Sequence, residues 1–245
     1  MAVIGNGRYS RQEAIPLLSQ AGQRRLSLAT VTVVGAGGVK SPLLYYLAAA
    51  GVGRIRIIDF DRVELSNLNR QILYSVHDIG KFKATAAADR LRELNPEIDI
   101  EPVVERIDGS NFGNLTDDTQ LLIEGGDSAE GRLLFNRLAL EHCKTYIHAS
   151  AQYNYAYVFT VIPRVSACFE CCFDDLPASH GGAVPIIGCA AGVAGCVAAT
   201  EAINILSGKD ATLAGRLWLH DGWANESVHF DLVKRTECTA CGGTH

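Results

Sequence analysis

Val31-Thr-Val-Val-Gly35-Ala-Gly37-Gly38-Val-Lys40-Ser41-Pro42 reads as a short β-branched strand, a glycine turn and the opening of a helix. Such a turn aims free backbone N–H groups and the positive end of a helix dipole at one spot, which suits a phosphate chain. Ser41 and Pro42 fit a first helical turn, where the N–H that proline lacks has no partner anyway. About twenty residues on, Ile55-Arg-Ile-Ile-Asp59-Phe-Asp61 reads as a second strand ending on carboxylates. Asp59 is the candidate for hydrogen bonds to a ribose, and Asp61 for a supporting role that orients the loop or the arginine. The glycine spacing is imperfect, because Lys40 stands where the third glycine of G-x-G-x-x-G belongs. Two readings of Lys40 follow: a loosened strand–helix crossing with its ammonium in solvent, or a phosphate contact at the helix start.

Outward from this stretch, Ser66-Asn67-Leu-Asn69-Arg70-Gln71 is a dense polar cluster, and Lys83 opens a helix expected to reach Leu94. A dehydrogenase has no use for two fixed cations there. Arg70 and Lys83 suit the β- and γ-phosphates of ATP better than they suit NAD. Gly51-Val-Gly53 stops the helix of Ser41 to Ala50. Further strands are expected over Arg54 to Ile58, Ile98 to Val104, from Leu121, Thr145 to Ala149 and Ala156 to Ile162, with a helix over Ala14 to Leu28. Between the last two strands, Tyr153, Tyr155 and Tyr157 recur at period two. They read either as strand pairing with one half-exposed face or as a wall of an acceptor site.

A chain of 245 residues with net charge −5 can bury a substantial core and gives no sign of binding nucleic acid or a phospholipid surface. Residues 1 to 9 lack an apolar run, so no signal peptide is expected and the expected compartment is the cytoplasm. Ala183 to Thr200 carries no charge and approaches the length of a membrane span. Its glycines and alanines, with Pro185 and no aromatic belt, fit a buried helix packed closely on another backbone instead. Cys196 on that helix reads as core, and Trp218 and Trp223 as core and interface.

Eight cysteines without a secretory signal argue for thiols or metal. Cys168-Phe-Glu-Cys171 and Cys238-Thr-Ala-Cys241 are two C-x-x-C pairs, and two such pairs complete a tetrahedral four-cysteine Zn²⁺ site. With four protein ligands that site is closed, so zinc would be structural and would clamp the C-terminal tail to the body. Cys172, beside the first pair, has no assigned role.

Gly35-Ala-Gly-Gly38, Asp59-Phe-Asp61, Ser66-Asn-Leu-Asn-Arg70-Gln71 and Lys83 together resemble the adenylation site of the ThiF/MoeB/HesA family, bacterial relatives of ubiquitin-activating enzymes. The resemblance implies ATP and Mg²⁺, with Gly35, Gly37, Gly38, Asp59, Asp61, Asn67, Asn69, Arg70, Lys83, Asp127 and Ser128 around the nucleotide. Where the family shows Asp-x-x-Asp-Asn, this chain has Glu124-Gly-Gly-Asp127-Ser128, which keeps the Mg²⁺ carboxylate as Asp127. Arg132 matches a family arginine or is structural. Arg8-Tyr9-Ser10-Arg11-Gln12 matches the family's Arg-Tyr-x-Arg-Gln pattern, which implies a homodimer in which Arg11 reaches the partner's ATP site. Arg70, Lys83, Asp127 and Arg11 would then be the catalytic set.

The implied reaction is attack of a carboxylate on the α-phosphorus of ATP, giving an acyl adenylate and pyrophosphate. The carboxylate would be the C-terminal glycine of a ubiquitin-like sulfur-carrier protein. A small-molecule or peptide carboxylate is the alternative, supported by Lys40, Glu124, Ser128, a loop after Phe173 that lacks the cysteine some family members use, and the tyrosine-rich edge from Tyr153 to Tyr157. Cys189 is either a displaced nucleophile or a small apolar residue at a helix start. The expected architecture is a Rossmann-like α/β fold: a mostly parallel sheet with helices on both faces, an antiparallel C-terminal extension and the four-cysteine zinc site. It is expected to form one adenylation domain over 1–245, with a nucleotide core at about 30–150 and a zinc-clamped part at about 151–245.

Overall fold

β-branched runs and helical periods alternate along the chain, and the elements follow that alternation. The computed structural model describes residues 7–126, 128–173 and 184–242. In chain order they form α1 (Ser10–Glu13), α2 (Ser19–Leu28), β1 (Thr30–Val34), α3 (Lys40–Ala50), β2 (Arg54–Ile58), α4 (Lys83–Leu94), β3 (Asp99–Val103) and α5 (Phe112–Thr116). There follow β4 (Leu121–Glu124), α6 (Ala129–Glu141), β5 (Tyr146–Gln152), β6 (Tyr155–Val161), α7 (Phe169–Cys172), α8 (Gly188–Leu206), β7 (Arg216–Asp221) and β8 (Glu226–Asp231).

All eight strands join one sheet in the order β3-β2-β1-β4-β5-β6-β7-β8. β1 to β5 pair in parallel, and β5 to β8 pair antiparallel. β1 lies between β2 and β4, so the strand order reverses there and a crevice opens beyond the carboxyl ends of β1 and β4. Parallel strands covered on both faces need continuous apolar runs. Val31, Val33, Ile55, Ile57, Leu121, Ile123 and Ile147 supply them and are fully buried. Burial of each such side chain is worth about 1.5–3 kcal/mol. A second cluster of Phe112, Phe135, Tyr146, Phe159 and Phe169 packs against Cys168, Cys238 and Cys241.

α8 is long and apolar enough to cross a membrane by length and composition, and about half of it is buried inside the protein. Its small residues explain why: a Cβ on Gly195 would lie 2.2 Å from the Val39 carbonyl oxygen, so α8 meets the start of α3 backbone to backbone. The buried-helix expectation is borne out on that face. Cys196 corrects the sequence reading, because it is exposed rather than core. It lies one heptad from the exposed Cys189 and four residues from Thr200, on the side of α8 turned away from Ala194, Ala198 and Ala202.

The N-terminal helix also differs from expectation. One helix over Ala14 to Leu28 is replaced by α1 and α2, because Pro16 lacks an N–H donor and biases Ile15 away from helical angles. Tyr9 then docks on the end of α3. Its hydroxyl accepts a hydrogen bond from Asn95 Nδ2 (2.9 Å), and Gly51, at φ +82°, leaves room for its ring where a Cβ would meet Cζ at 2.5 Å. Trp218 is half-buried against the core, whereas Trp223 is exposed in the turn between β7 and β8.

Candidate functional site

The glycine turn after β1 is held in place by the end of β2. Gly35 (φ +86°) donates its N–H to the Ile58 carbonyl (2.8 Å), and a Cβ there would meet nothing, so open space faces the turn. Asp59 ties the turn to its own loop: Oδ2 accepts from the Ala36 N–H (2.7 Å) and Oδ1 from the Asp61 N–H (2.8 Å). Burial raises the Asp59 carboxyl above its ordinary value, opposed by these two hydrogen bonds and by Lys83. Tyr74, which sequence reasoning missed, closes the back of the turn by donating to the Ala36 carbonyl (2.8 Å).

The two cations stand on the same cleft. Lys83, at the first position of α4, is buried; its Nζ pairs with Asp61 Oδ2 (3.1 Å), and its N–H bonds the Asp61 carbonyl (2.8 Å). Asp61 therefore orients a lysine. Arg70 donates through Nη1 to Ser66 O (2.9 Å) and Asn69 Oδ1 (3.1 Å) and packs against Gly38, where a Cβ would lie 3.2 Å from Arg70 Cγ. Gly38 thus permits the arginine to approach the turn closely. Asn67 shapes the loop by accepting the Glu64 N–H, and Asn69 holds Arg70. Among the described residues, Gln71 leaves its buried Oε1 without a hydrogen-bond partner beside the glycine turn. A cleft of 730 Å³ is lined by Gly35, Gly37, Gly38, Asp59, Asp61, Asn67, Arg70, Lys83 and Ser128 among the expected residues, with Gln71, Glu124, Arg132 and Ser150 beside them.

Other expected residues stand elsewhere. Asn69 is not part of the cleft lining. Arg11 is exposed, and no hydrogen bond or ion pair holds it among the described residues, whereas Arg8 is tied to Leu94 O and Glu97. Asp127 lies outside the described residues. Ser128 caps α6 by accepting the Gly131 N–H (3.1 Å), and Arg132 donates to Gly126 O (2.6 Å). Tyr153, Tyr155 and Tyr157 do not line the cleft: Tyr153 sits in the β5–β6 turn, and Tyr157 accepts from Gln152.

Lys40 fits neither sequence reading. Its side chain is buried, and Nζ donates to Glu124 O (2.8 Å) and Ala149 O (3.1 Å). Burial lowers its pKa to about 8, with Glu124 opposing and Arg132 adding to the shift. Glu124 in turn pairs with His148 Nδ1, and His148 Nε2 lies 3.0 Å from Ser150 Oγ.

Beside α6, the Sγ atoms of Cys168, Cys171, Cys238 and Cys241 all lie within 4.8 Å of one another. Neighbouring pairs are 3.9, 3.7 and 3.4 Å apart. Four sulfurs around a tetrahedral ion with about 2.3 Å bonds stand about 3.8 Å apart, so the donor set fits zinc. Asn136 Nδ2 approaches Cys168 Sγ (3.7 Å), and Glu170 is gripped by Arg137 and Thr239, which tie the tail to α6 and α7.

A glycine turn at the strand-order reversal, two cations on the cleft and a four-cysteine cluster define a nucleotide-binding α/β protein with a metal-type clamp. The ThiF family model matches residues 9–240, and the chain belongs to the ThiF family. It is 36% identical to a sulfur carrier protein adenylyltransferase of Thermus thermophilus, over 96% of this chain and 90% of that one. It is 34% identical to the sulfur carrier protein ThiS adenylyltransferase of Bacillus subtilis, over 96% and 71%. The fold matches that of E. coli MccB solved with ATP, with TM-score 0.85 and 20% identity over 98% of this chain and 75% of that one.

Proposed function

We propose that this chain is an ATP-dependent adenylyltransferase that converts a carboxylate to an acyl adenylate with release of pyrophosphate. The carboxylate we favour is the C-terminal glycine of a ubiquitin-like sulfur-carrier protein. The observation that carries this reading is the convergence of the Gly35–Gly38 turn, Arg70 and Lys83 on one cleft, in a chain so similar along its length to named adenylyltransferases.

Catalysis of such a step is positioning and charge neutralisation. The turn would present backbone N–H groups to the phosphates, and Gln71 Oε1, an acceptor with no partner among the described residues, lies beside it and would suit a hydroxyl or amino donor of the nucleotide. Arg70 and Lys83 would neutralise the phosphate charge. Asp127 would hold Mg²⁺, which suits a carboxylate shared with phosphate oxygens. Arg11 of the partner subunit would complete the site in a homodimer, a reading supported by this exposed side chain's lack of any hydrogen bond or ion pair among the described residues. Zn²⁺ in the four-cysteine cluster would be structural. The whole chain would act as one adenylation domain, with its nucleotide core at about 30–150, in the cytoplasm.

A small-molecule or peptide carboxylate is a second reading. It is favoured by the cleft wall beside the glycine turn, where Lys40, Glu124 and Ser150 are linked through His148 buried behind them. Pyrophosphate release from ATP, measured with a Gly-Gly-terminated carrier protein and with a panel of small carboxylates and peptides, separates the two. Stimulation by the carrier alone supports the first reading; stimulation by a small carboxylate alone replaces it.

A further inference from the structure

Three side chains form a continuous chain from the carboxyl end of β4 to the middle of β5. His148 and Ser150 are two residues apart on β5 and so share a face. Glu124, the last residue of β4, is the register partner of His148. Its carboxylate is hydrogen-bonded to His148 Nδ1, and Ser150 Oγ stands 3.0 Å from Nε2. His148 and Glu124 are almost wholly buried, while Ser150 lines the nucleotide cleft.

The proton positions follow from the chemistry. Glu124 accepts the Gly126 N–H, and the charges of Lys40 and Arg132 favour its ionised form, so it is a carboxylate and accepts only. Nδ1 of His148 must therefore carry the hydrogen. Burial lowers the imidazole's pKa, which favours the neutral ring, so Nε2 is bare and takes the Ser150 O–H. Lys40 braces the arrangement from α3 by bonding the carbonyls of Glu124 and of Ala149, the residue before Ser150. A hydroxyl, an imidazole and a carboxylate in this order make an activated serine nucleophile.

We propose that Ser150, activated by His148 and Glu124, is a catalytic nucleophile that takes the acyl group from the adenylate to form an ester on the protein. This rests on the adenylation reading above. Ser150 Oγ bonds to the acyl carbon, the bond from that carbon to the AMP oxygen breaks, and AMP leaves with the electron pair. The hydroxyl proton passes to Nε2 of His148, and Glu124 stabilises the resulting imidazolium. The ester takes the place of the thioester that a loop cysteine would form. Cys189, an exposed thiol near the start of α8, has no hydrogen bond to a base among the described residues.

The test needs no carboxylate. The purified protein is treated with a biotinylated fluorophosphonate, which phosphonylates activated serines with loss of fluoride, and the adduct is mapped by peptide mass spectrometry. The expected adduct is on Ser150 and is absent in Ser150→Ala. Labelling should slow about 10²-fold or more in His148→Gln, the range for loss of a general base, and should slow in wild type when α,β-methylene-ATP fills the cleft. No adduct on Ser150 under conditions that label chymotrypsin fully overturns the proposal, as does equal labelling of a folded His148→Gln protein. Mapping on the wild-type chain holds whatever the variant's stability. Failure of the adenylation reading would appear instead in pyrophosphate release and in lost protection by α,β-methylene-ATP, and would leave the Ser150 adduct and its dependence on His148 unchanged.

Discussion

Lys40 Nζ donates to the carbonyl oxygens of Glu124 (2.8 Å) and Ala149 (3.1 Å), so one ammonium on α3 joins the carboxyl end of β4 to the middle of β5. Gly125 makes the approach possible: at φ +154° it carries no Cβ, and one built there would lie 1.9 Å from Ala149 O and 2.7 Å from Lys40 Nζ. A lysine in the place of a glycine is therefore a cross-strand brace at the wall of the cleft. Removing its head group would strand two buried carbonyls, at about 1–3 kcal/mol each.

That brace has a pH signature. The unfolded chain keeps a proton on Lys40 up to its ordinary 10.5, the folded chain only up to about 8. Between those values the unfolded state binds more protons, so this group's contribution to stability rises with pH. The melting temperature of wild type relative to Lys40→Met should climb from pH 8 towards 10.5. Parallel melting curves for the two proteins across that range would remove the buried lysine from the account.

Lys83 is buried and meets Asp61 at 3.1 Å, so its ammonium is already oriented before any phosphate arrives. Lys83→Ala should lower pyrophosphate exchange about 10²–10³-fold, the scale for loss of one preorganised charge-stabilising group. Asp61→Asn should lower it less, since it loosens the lysine without removing it. Equal rates for wild type and Lys83→Ala would take the lysine out of the phosphate site.

Asp127→Ala should abolish Mg²⁺-dependent pyrophosphate exchange while the protein stays folded. The carboxylate follows β4, where a hard divalent ion could bridge to phosphates in the cleft. Unchanged exchange in the variant would assign the metal to other ligands.

Much of this was legible in the sequence, and the exceptions have a common cause. β2 and α4 fall where the reading placed them, because Arg54–Ile58 and Lys83–Leu94 are bounded by glycines, Asn95 and Pro96, all local signals. The four cysteines come together as their spacing implied. The Pro16 break was also a local signal, but the apolar period of Ala14 to Leu28 obscured it. Lys40 was not legible, since its partners are 84 and 109 residues away. The same holds for His148 and Ser150, whose alternation in a buried strand says nothing of the glutamate on the next strand. Cys196 was misread because a helix of glycine and alanine shows little contrast between its faces.

Chelation or Cys171→Ser should free the tail. Cys238 and Cys241 are buried against the Phe112–Phe169 cluster, and two sulfurs from each end of this pairing are needed to hold one ion. The expected outcome is loss of one bound zinc per chain, a lower melting temperature and faster proteolysis between residues 232 and 242. Full zinc content and unchanged cleavage in Cys171→Ser would exclude the four-sulfur site.

Arg11 and Arg70 test whether the site is shared between subunits. Arg70 packs on Gly38 within its own cleft, whereas Arg11 is exposed and makes no hydrogen bond or ion pair among the described residues. An arginine that serves the other subunit's phosphates leaves a different signature from one that serves its own. Arg11→Ala and Arg70→Ala homodimers should each lose most exchange activity. In a heterodimer of the two, one cleft combines an intact Arg70 with an intact Arg11 from across the interface, and the other cleft lacks both. Mixing, with heterodimers verified by differential tagging, should therefore restore activity towards half of wild type per heterodimer. If each arginine serves its own chain, every cleft in the heterodimer lacks one of them, and mixing restores nothing.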